Sequence, residues 1–253
     1  GKIKKYCEKY NTEFLCSPFS IEAVDLLEKI NVKYYKVPSG ELTNIPLLER
    51  LKKTGKKVIL STGMSNLKEI DKAVKIFNNK KIILLQCSSI YPCPLNQVGT
   101  NVITEFLKRY KCEVGFSDHT LGYSASFSAA SLGACIIEKH FTLSRKMYGS
   151  DAKNSMEPVE FKFFSKNIKE IWYINKHHVD KNNIKKFKSM KIIFEKSIYA
   201  KKELKLGHKI KFKDLAFKKP GKYLRADRYK ALIGRVLIKN KKKDEPINVK
   251  DIK

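Results

Sequence analysis

VGFSDHTLGYSASFSAASLGACIIEKHFT, residues 114–142, has the pattern of a strand, a loop, a helix and a second strand. Residues 114–116 are a short apolar run, and residues 121–132 carry the small and apolar side chains of a closely packed helix. Residues 135–141 form a second apolar run rich in Ile. Gly133 stands just past the predicted helix, where glycine commonly ends one. Strand, helix and strand within this length make two parallel strands, usually adjacent ones. His119 then leaves the end of the first strand, and His140 leaves the same end of the second. Neighbouring strands lie about 4.8 Å apart, so two imidazoles placed this way can share one metal ion. Asp118 and Glu138 flank them as orienting carboxylates. A lone histidine near a strand end is usually an ordinary satisfied polar residue. Two at matched ends, among five histidines in the chain, turn the balance towards a site.

The same alternation runs back towards the N-terminus. The patterns predict helices at residues 3–10, 21–30 (Ser20 as N-cap), 44–53, 67–78 (Ser65 as cap) and 102–110. Strands are predicted at residues 13–17, 34–38, 57–61 and 81–87. Six short, mostly apolar strands with helices between them describe a buried parallel sheet, either doubly wound or part of a (β/α)8 barrel. No GxGxxG follows any strand, which weakens a dinucleotide-binding reading. Polar residues gather instead at the C-terminal ends of nearly all strands: Ser17, residues 36–41, Ser61-Thr62, residues 88–91, 117–119 and 138–140. A site drawn from many strand ends is the barrel pattern.

A final helix is predicted at residues 158–176. Residues 177–195 are polar and basic and read as a linker, with His177 and His178 solvated. From residue 196 the texture changes to short alternating segments. AKKELKLGHKIKFKDL (200–215) and LIKNKKKDEPINVKDI (237–252) resemble each other, which predicts a small pseudo-symmetric β-rich module. The expected domains are 1–176, a partial barrel, and 196–253, the small module.

The formal net charge of +28 invites a nucleic-acid reading. Arginine, the preferred phosphate and base reader, occurs only at positions 50, 109, 145, 225, 228 and 235, and the lysines are spread along the whole chain. Weak polyanion binding at low salt is expected, and specific nucleic-acid recognition is not. The six cysteines show no CxxC spacing and several lie in apolar runs, as reduced structural residues do. No apolar run approaches the ~20 residues of a membrane span, and no signal peptide opens the sequence, so a cytoplasmic setting is expected. The chain begins at Gly1 without Met and its first residues look like the middle of a helix, so it reads as a fragment.

Several segments together carry a family resemblance: EFLCSPF, YYKVPSGELTN, VILSTGM, LLQCSSIYPCP, VGFSDHTLGYS, IIEKHFTL and GSDAKNSMEPVEF, then AKKELKLG, KKPG, ALIG and EPINVKDI. The chain resembles the N-acetylneuraminate (sialic acid) synthase family over essentially its whole length. The resemblance implies a (β/α)8 TIM barrel, here without its first two strands, followed by a small antifreeze-like (SAF) domain. It implies condensation of phosphoenolpyruvate with N-acetylmannosamine or a related N-acyl hexosamine, giving a nonulosonic acid and phosphate. His119 and His140 match ligands of a divalent metal, Mn²⁺ first, with Mg²⁺ or Co²⁺ as alternatives, that polarises the sugar carbonyl. Ser17, Lys36, Ser39, Ser89 and Ser117 match positions holding phosphoenolpyruvate. Glu41 matches a catalytic acidic residue, and Tyr91 and Asp151 match sugar contacts.

The resemblance further implies a homodimer with the SAF domain over the partner's active site. Lys219 of KKPG stands where the family commonly has a sugar-reaching Arg, which keeps the charge but loses the planar fork. Asp151-Ala152 replaces a common Asp-His pair, and Arg225 lies close enough in sequence to compensate for Lys219. The variants of the reading are synthases of pseudaminic or legionaminic acid, a synthase using a phosphorylated sugar, and a degenerate relative that keeps the fold without catalysis.

Overall fold

Five short strands run parallel and in sequential order: β1 (Tyr34–Val37), β2 (Lys57–Ser61), β3 (Ile82–Cys87), β4 (Glu113–Asp118) and β5 (Ile137–Lys139). The helices are α1 (Lys2–Lys9), α2 (Ile21–Lys29), α3 (Ile45–Lys53), α4 (Leu67–Ile76), α5 (Asn101–Tyr110), α6 (Ser124–Ser131) and α7 (Pro158–Lys176). The computed structural model describes residues 1–253, which divide into two compact units, Gly1–His178 and Val179–Lys253. The first unit is part of a TIM barrel, a half-barrel of parallel strands. No helix is long and apolar enough to cross a membrane.

Strand side chains alternate between two faces, and the sequence fills those faces differently. Tyr35 and Val37, Val58 and Leu60, Ile82 and Leu84, Val114 and Phe116 face the helices. There they bury with Val24, Leu48, Leu51, Ile70, Ile103 and Phe106 in the main core. Removing one such Leu side chain costs roughly 2–5 kcal/mol. The opposite, inner face carries only a small apolar floor of Ile59, Ile83 and Leu85, with Ile136 packed on it. Above that floor the same face continues as Lys36, Ser61, Cys87, Ser117 and Glu138, all towards the C-terminal ends of their strands. Gly115 belongs to this face, and a Cβ there would lie 2.5 Å from Leu85 Cδ2 and 2.7 Å from the Ile136 carbonyl. The floor closes only because that position is bare.

Residues 13–17, expected as a strand, are not one. Their sole bond to β1 is Lys36 N–H to the Cys16 carbonyl at 3.4 Å, too little for a ladder, while Phe14 and Cys16 pack against the core. The cap of α4 is Asn66, not Ser65: its side chain accepts from Glu69 N–H and Glu69 returns a bond to Asn66 N–H. That helix ends at Ile76 because Phe77 turns to an extended conformation and is buried. The helix expected over 121–132 begins at Ser124, since Asp118 accepts from Thr120 N–H and holds the chain in a turn. Small residues Ala125, Ala129 and Ala130 then let α6 approach its neighbours.

In the second unit, residues read as linker contain a short helix, α8 (Lys188–Phe194). Gly221 N–H donates to the Ile192 carbonyl at 2.7 Å, tying α8 to the loop that carries Lys219. The two similar sequences give two similar turns around buried aspartates. Asp214 accepts from Lys211 N–H at 2.9 Å, and Asp251 accepts from Asn248 N–H at 2.8 Å. Lys202 pairs with Asp214 as Lys239 pairs with Asp251. Leu204 and Lys241 exchange backbone bonds of 2.8 Å in both directions, at the centre of the repeat. The antiparallel strands β6 (Ser197–Ala200) and β7 (Leu215–Lys218) complete this unit.

Candidate active site

Pairing of β4 with β5 sets Ser117 beside Glu138, and so brings His119 and His140 out of the sheet at the same edge. Their ring centroids lie 5.4 Å apart. Together with Ser117, Glu138 and Lys139 they line a cavity of about 250 Å³. His119 Nδ1 lies 2.9 Å from the Ser88 carbonyl, which only accepts, so Nδ1 carries the hydrogen. Nε2, on the other side of the ring, lies 3.5 Å from Ser117 Oγ. Tyr91 stacks on His119 at 4.1 Å and meets His140 edge-on at 5.8 Å. Burial first, and the neighbouring His119 second, hold His140 below the ordinary imidazole range, so it is a neutral nitrogen donor. Asp151 Oδ2 stands 3.7 Å from its Nδ1 and opposes that shift.

Lys36 rises from β1 into the same space, 7% exposed, with its ammonium 3.1 Å from Glu138 Oε2. Glu138 Oε1 accepts from Ser117 Oγ at 2.7 Å. Ser39, at the end of β1, accepts from Gly63 N–H at 3.0 Å, and its hydroxyl lies 3.8 Å from Cys87 Sγ. Cys87 Sγ is in turn 3.8 Å from His119 Nδ1, and burial pushes its thiol up and keeps it protonated. Ser89 sits beside Gly63, with its amide donating to the Gly63 carbonyl at 3.4 Å. One buried cation, several hydroxyls and two imidazoles thus share one end of the sheet. Such a set can bind an anion and a carbonyl oxygen side by side.

The structure joins Lys36, Ser39, Ser89, Ser117, Tyr91, His119, His140 and Asp151 through these contacts. It does not join Glu41, whose carboxylate accepts from Asn44 at 2.7 Å within its own turn. Ser17 has no side-chain hydrogen bond to the cluster. Lys219 belongs to the second unit, where its ammonium lies over the Phe194 ring at 4.8 Å. The expected orienting role of Asp118 is overturned. It is one residue from His119 on a strand and so faces the other way, paired with Lys139 at 3.0 Å and hydrogen-bonded to Ser126. Glu138 contacts Lys36 and Ser117 instead of either imidazole.

Two inner-face residues carry no assigned role in the sequence reading, although Ser61 was named there among the strand-end polar residues. Cys87 lies at the centre of the site, and Ser61 Oγ is buried without a partner at the end of β2. The signal for both was a polar atom ending an apolar run on the inner parity. No group of three or more His, Cys, Asp or Glu side chains converges to hold a metal. A divalent ion held here would have the two imidazoles as its His, Cys, Asp or Glu ligands, and would need its other donors from water or substrate.

The chain is thus a half-barrel with polar residues at its strand ends, followed in sequence by a small pseudo-symmetric β unit. A NeuB family model matches residues 1–180, and a SAF domain model matches residues 195–253. The chain is 40% identical over 247 residues to the N,N'-diacetyllegionaminic acid synthase of Campylobacter jejuni, covering 96% of this chain and 74% of that one. It is 29% identical to the pseudaminic acid synthase of Helicobacter pylori, covering 100% and 75%. The crystal structure of an N-acetylneuraminic acid (sialic acid) synthetase from Leptospira borgpetersenii, in complex with citrate, superposes with a TM-score of 0.69 at 32% identity. That match covers 74% of this chain and 68% of that one. The chain belongs to the NeuB, or sialic acid synthase, family and carries its SAF domain. It is an enzyme of the nonulosonic acid synthase type.

Proposed function

We propose that this synthase condenses phosphoenolpyruvate with an N-acyl amino hexose at the cluster of Lys36, Ser117, Glu138, His119 and His140. The observation that carries the reading is the buried Lys36 ammonium, beside the hydroxyls of Ser39, Ser89 and Ser117 and at the same strand ends as the paired histidines. Lys36 and the hydroxyls suit the carboxylate and phosphate of phosphoenolpyruvate, through charge-assisted bonds. Glu138 holds the ammonium in place and fixes Ser117. Tyr91, half exposed above the imidazoles, and Asp151 suit the sugar. In the reaction the enol carbon attacks the sugar aldehyde, water adds at C2 of the phosphoenolpyruvate portion, and phosphate leaves with its bridging oxygen.

His119 Nε2 and His140 would hold a divalent ion, Mn²⁺ first, whose contribution when bound is to polarise the aldehyde oxygen. Apart from that, the chain's own groups bind and orient the two substrates. The reading includes a homodimer in which Lys219 serves the sugar in the partner's site.

Similarity to the N,N'-diacetyllegionaminic acid synthase of C. jejuni supports an N,N'-diacetyl amino sugar over N-acetylmannosamine as the substrate of this chain. The test is phosphate release from phosphoenolpyruvate with each sugar, with and without Mn²⁺, and the mass of the product. Release that needs both sugar and metal is expected, faster with the diacetyl sugar. No sugar-dependent release with either would overturn the reading.

A further inference from the structure

The bare Cα of Gly63, in the turn after β2, faces three side-chain tips of the site at once. A Cβ there would lie 2.4 Å from Ser89 Oγ, 2.8 Å from Cys87 Sγ and 2.9 Å from Ser39 Oγ. These three come from three segments: the turn after β1, the end of β3 and the loop after β3. The backbone of Gly63 also engages two of them. Its N–H donates to Ser39 Oγ at 3.0 Å, and its carbonyl accepts the Ser89 N–H at 3.4 Å.

A hydroxyl has one hydrogen and two lone pairs. With a lone pair of Ser39 taken by Gly63 N–H, its hydrogen has only the Cys87 sulfur for company, 3.8 Å away and a weak acceptor. The hydroxyl is therefore set as a donor without a strong acceptor in the protein. An anion entering the cavity supplies that acceptor.

We infer that Gly63 is a positioning residue, which presets the Ser39 hydroxyl as a donor to the bound anion and holds Ser89 at the distance the anion needs. This rests on the phosphoenolpyruvate reading above and assigns it a determinant in the second loop. The three atoms nearest to a methyl at Gly63 are all ends of rotatable side chains. Gly63→Ala is therefore accommodated by turning Ser39, Ser89 and Cys87 about their Cα–Cβ bonds. The fold survives and the hydroxyls move.

The experiment titrates phosphoenolpyruvate calorimetrically into wild type, Gly63→Ala and Ser39→Ala at physiological salt, with Mn²⁺ binding followed separately by electron paramagnetic resonance. Gly63→Ala is expected to weaken phosphoenolpyruvate at least tenfold, with Mn²⁺ affinity within twofold of wild type and a melting temperature within a few degrees. Ser39→Ala, which introduces no crowding, is expected to lose affinity in the same direction. Phosphoenolpyruvate affinity within twofold of wild type in Gly63→Ala would overturn the inference. So would parallel loss of phosphoenolpyruvate and Mn²⁺ binding, or failure of that variant to fold, since either means a structural role. A wild type with no saturable phosphoenolpyruvate binding would instead refute the condensation reading itself.

Discussion

Lys36→Met separates binding from folding at this site. Met keeps most of the length of the apolar stem and removes the ammonium, so the inner face stays packed. Lys36 is almost fully buried, whereas the Glu138 side chain is 38% exposed. Loss of the cation therefore leaves a carboxylate that water and Ser117 still solvate, and the variant recovers the cost of burying the ammonium. These opposing effects leave the stability change at about 1 kcal/mol, a melting shift of roughly 2–4 °C for a chain of this size. The ligand has no such compensation. One charge-assisted bond to a phosphate or carboxylate is worth about 1.5–3 kcal/mol, which corresponds to roughly 10- to 150-fold in dissociation constant. Calorimetric titration with phosphoenolpyruvate and thermal unfolding of the same samples read both quantities. A phosphoenolpyruvate affinity unchanged within twofold would remove Lys36 from the site.

Three further outcomes are expected. His140→Ala should lose most Mn²⁺ binding by electron paramagnetic resonance while phosphoenolpyruvate still binds; undiminished Mn²⁺ binding would end the metal assignment. Asp118→Ala leaves the Lys139 ammonium buried without its carboxylate, and should cost about 3–5 kcal/mol in urea unfolding; a loss below 1 kcal/mol would show that the pair is not what holds β4 to β5. In the second unit, burial alone would raise the Asp251 carboxyl, but Lys239, Lys241 and the Asn248 N–H outweigh it and hold it at about 2. Its unfolded value is about 3.9, so it contributes about 3 kcal/mol above that pH, lost as pH falls through 2. Asp251→Asn should flatten the acid limb of the unfolding curve, and an unaltered limb would count against the ion pair.

The central strand–helix–strand segment was legible because apolar runs and small residues directly report burial and close packing. Parallel pairing then forces His119 and His140 to one edge. Strand alternation alone also shows that Asp118 must face away from His119, an inference that local proximity in sequence obscured. Residues 13–17 have the apolar pattern of a strand because Phe14 and Cys16 pack on the core. Pattern reports burial, and a ladder needs a partner backbone that sequence does not display. Gly63 was illegible for a different reason. Its role depends on side chains of three other segments lying within 3 Å of where its Cβ would stand, which no local property of STGM encodes. The pseudo-symmetry of the second unit was visible because Lys202, Asp214 and their counterparts Lys239 and Asp251 recur in order.

The decisive measurement is a crystal structure of the chain soaked with phosphoenolpyruvate. Its carboxylate and phosphate are expected at the inner strand ends, within hydrogen-bond distance of Lys36 Nζ and of hydroxyls among Ser39, Ser89 and Ser117. Phosphoenolpyruvate bound only to surface lysines, with this pocket unchanged, would contradict it.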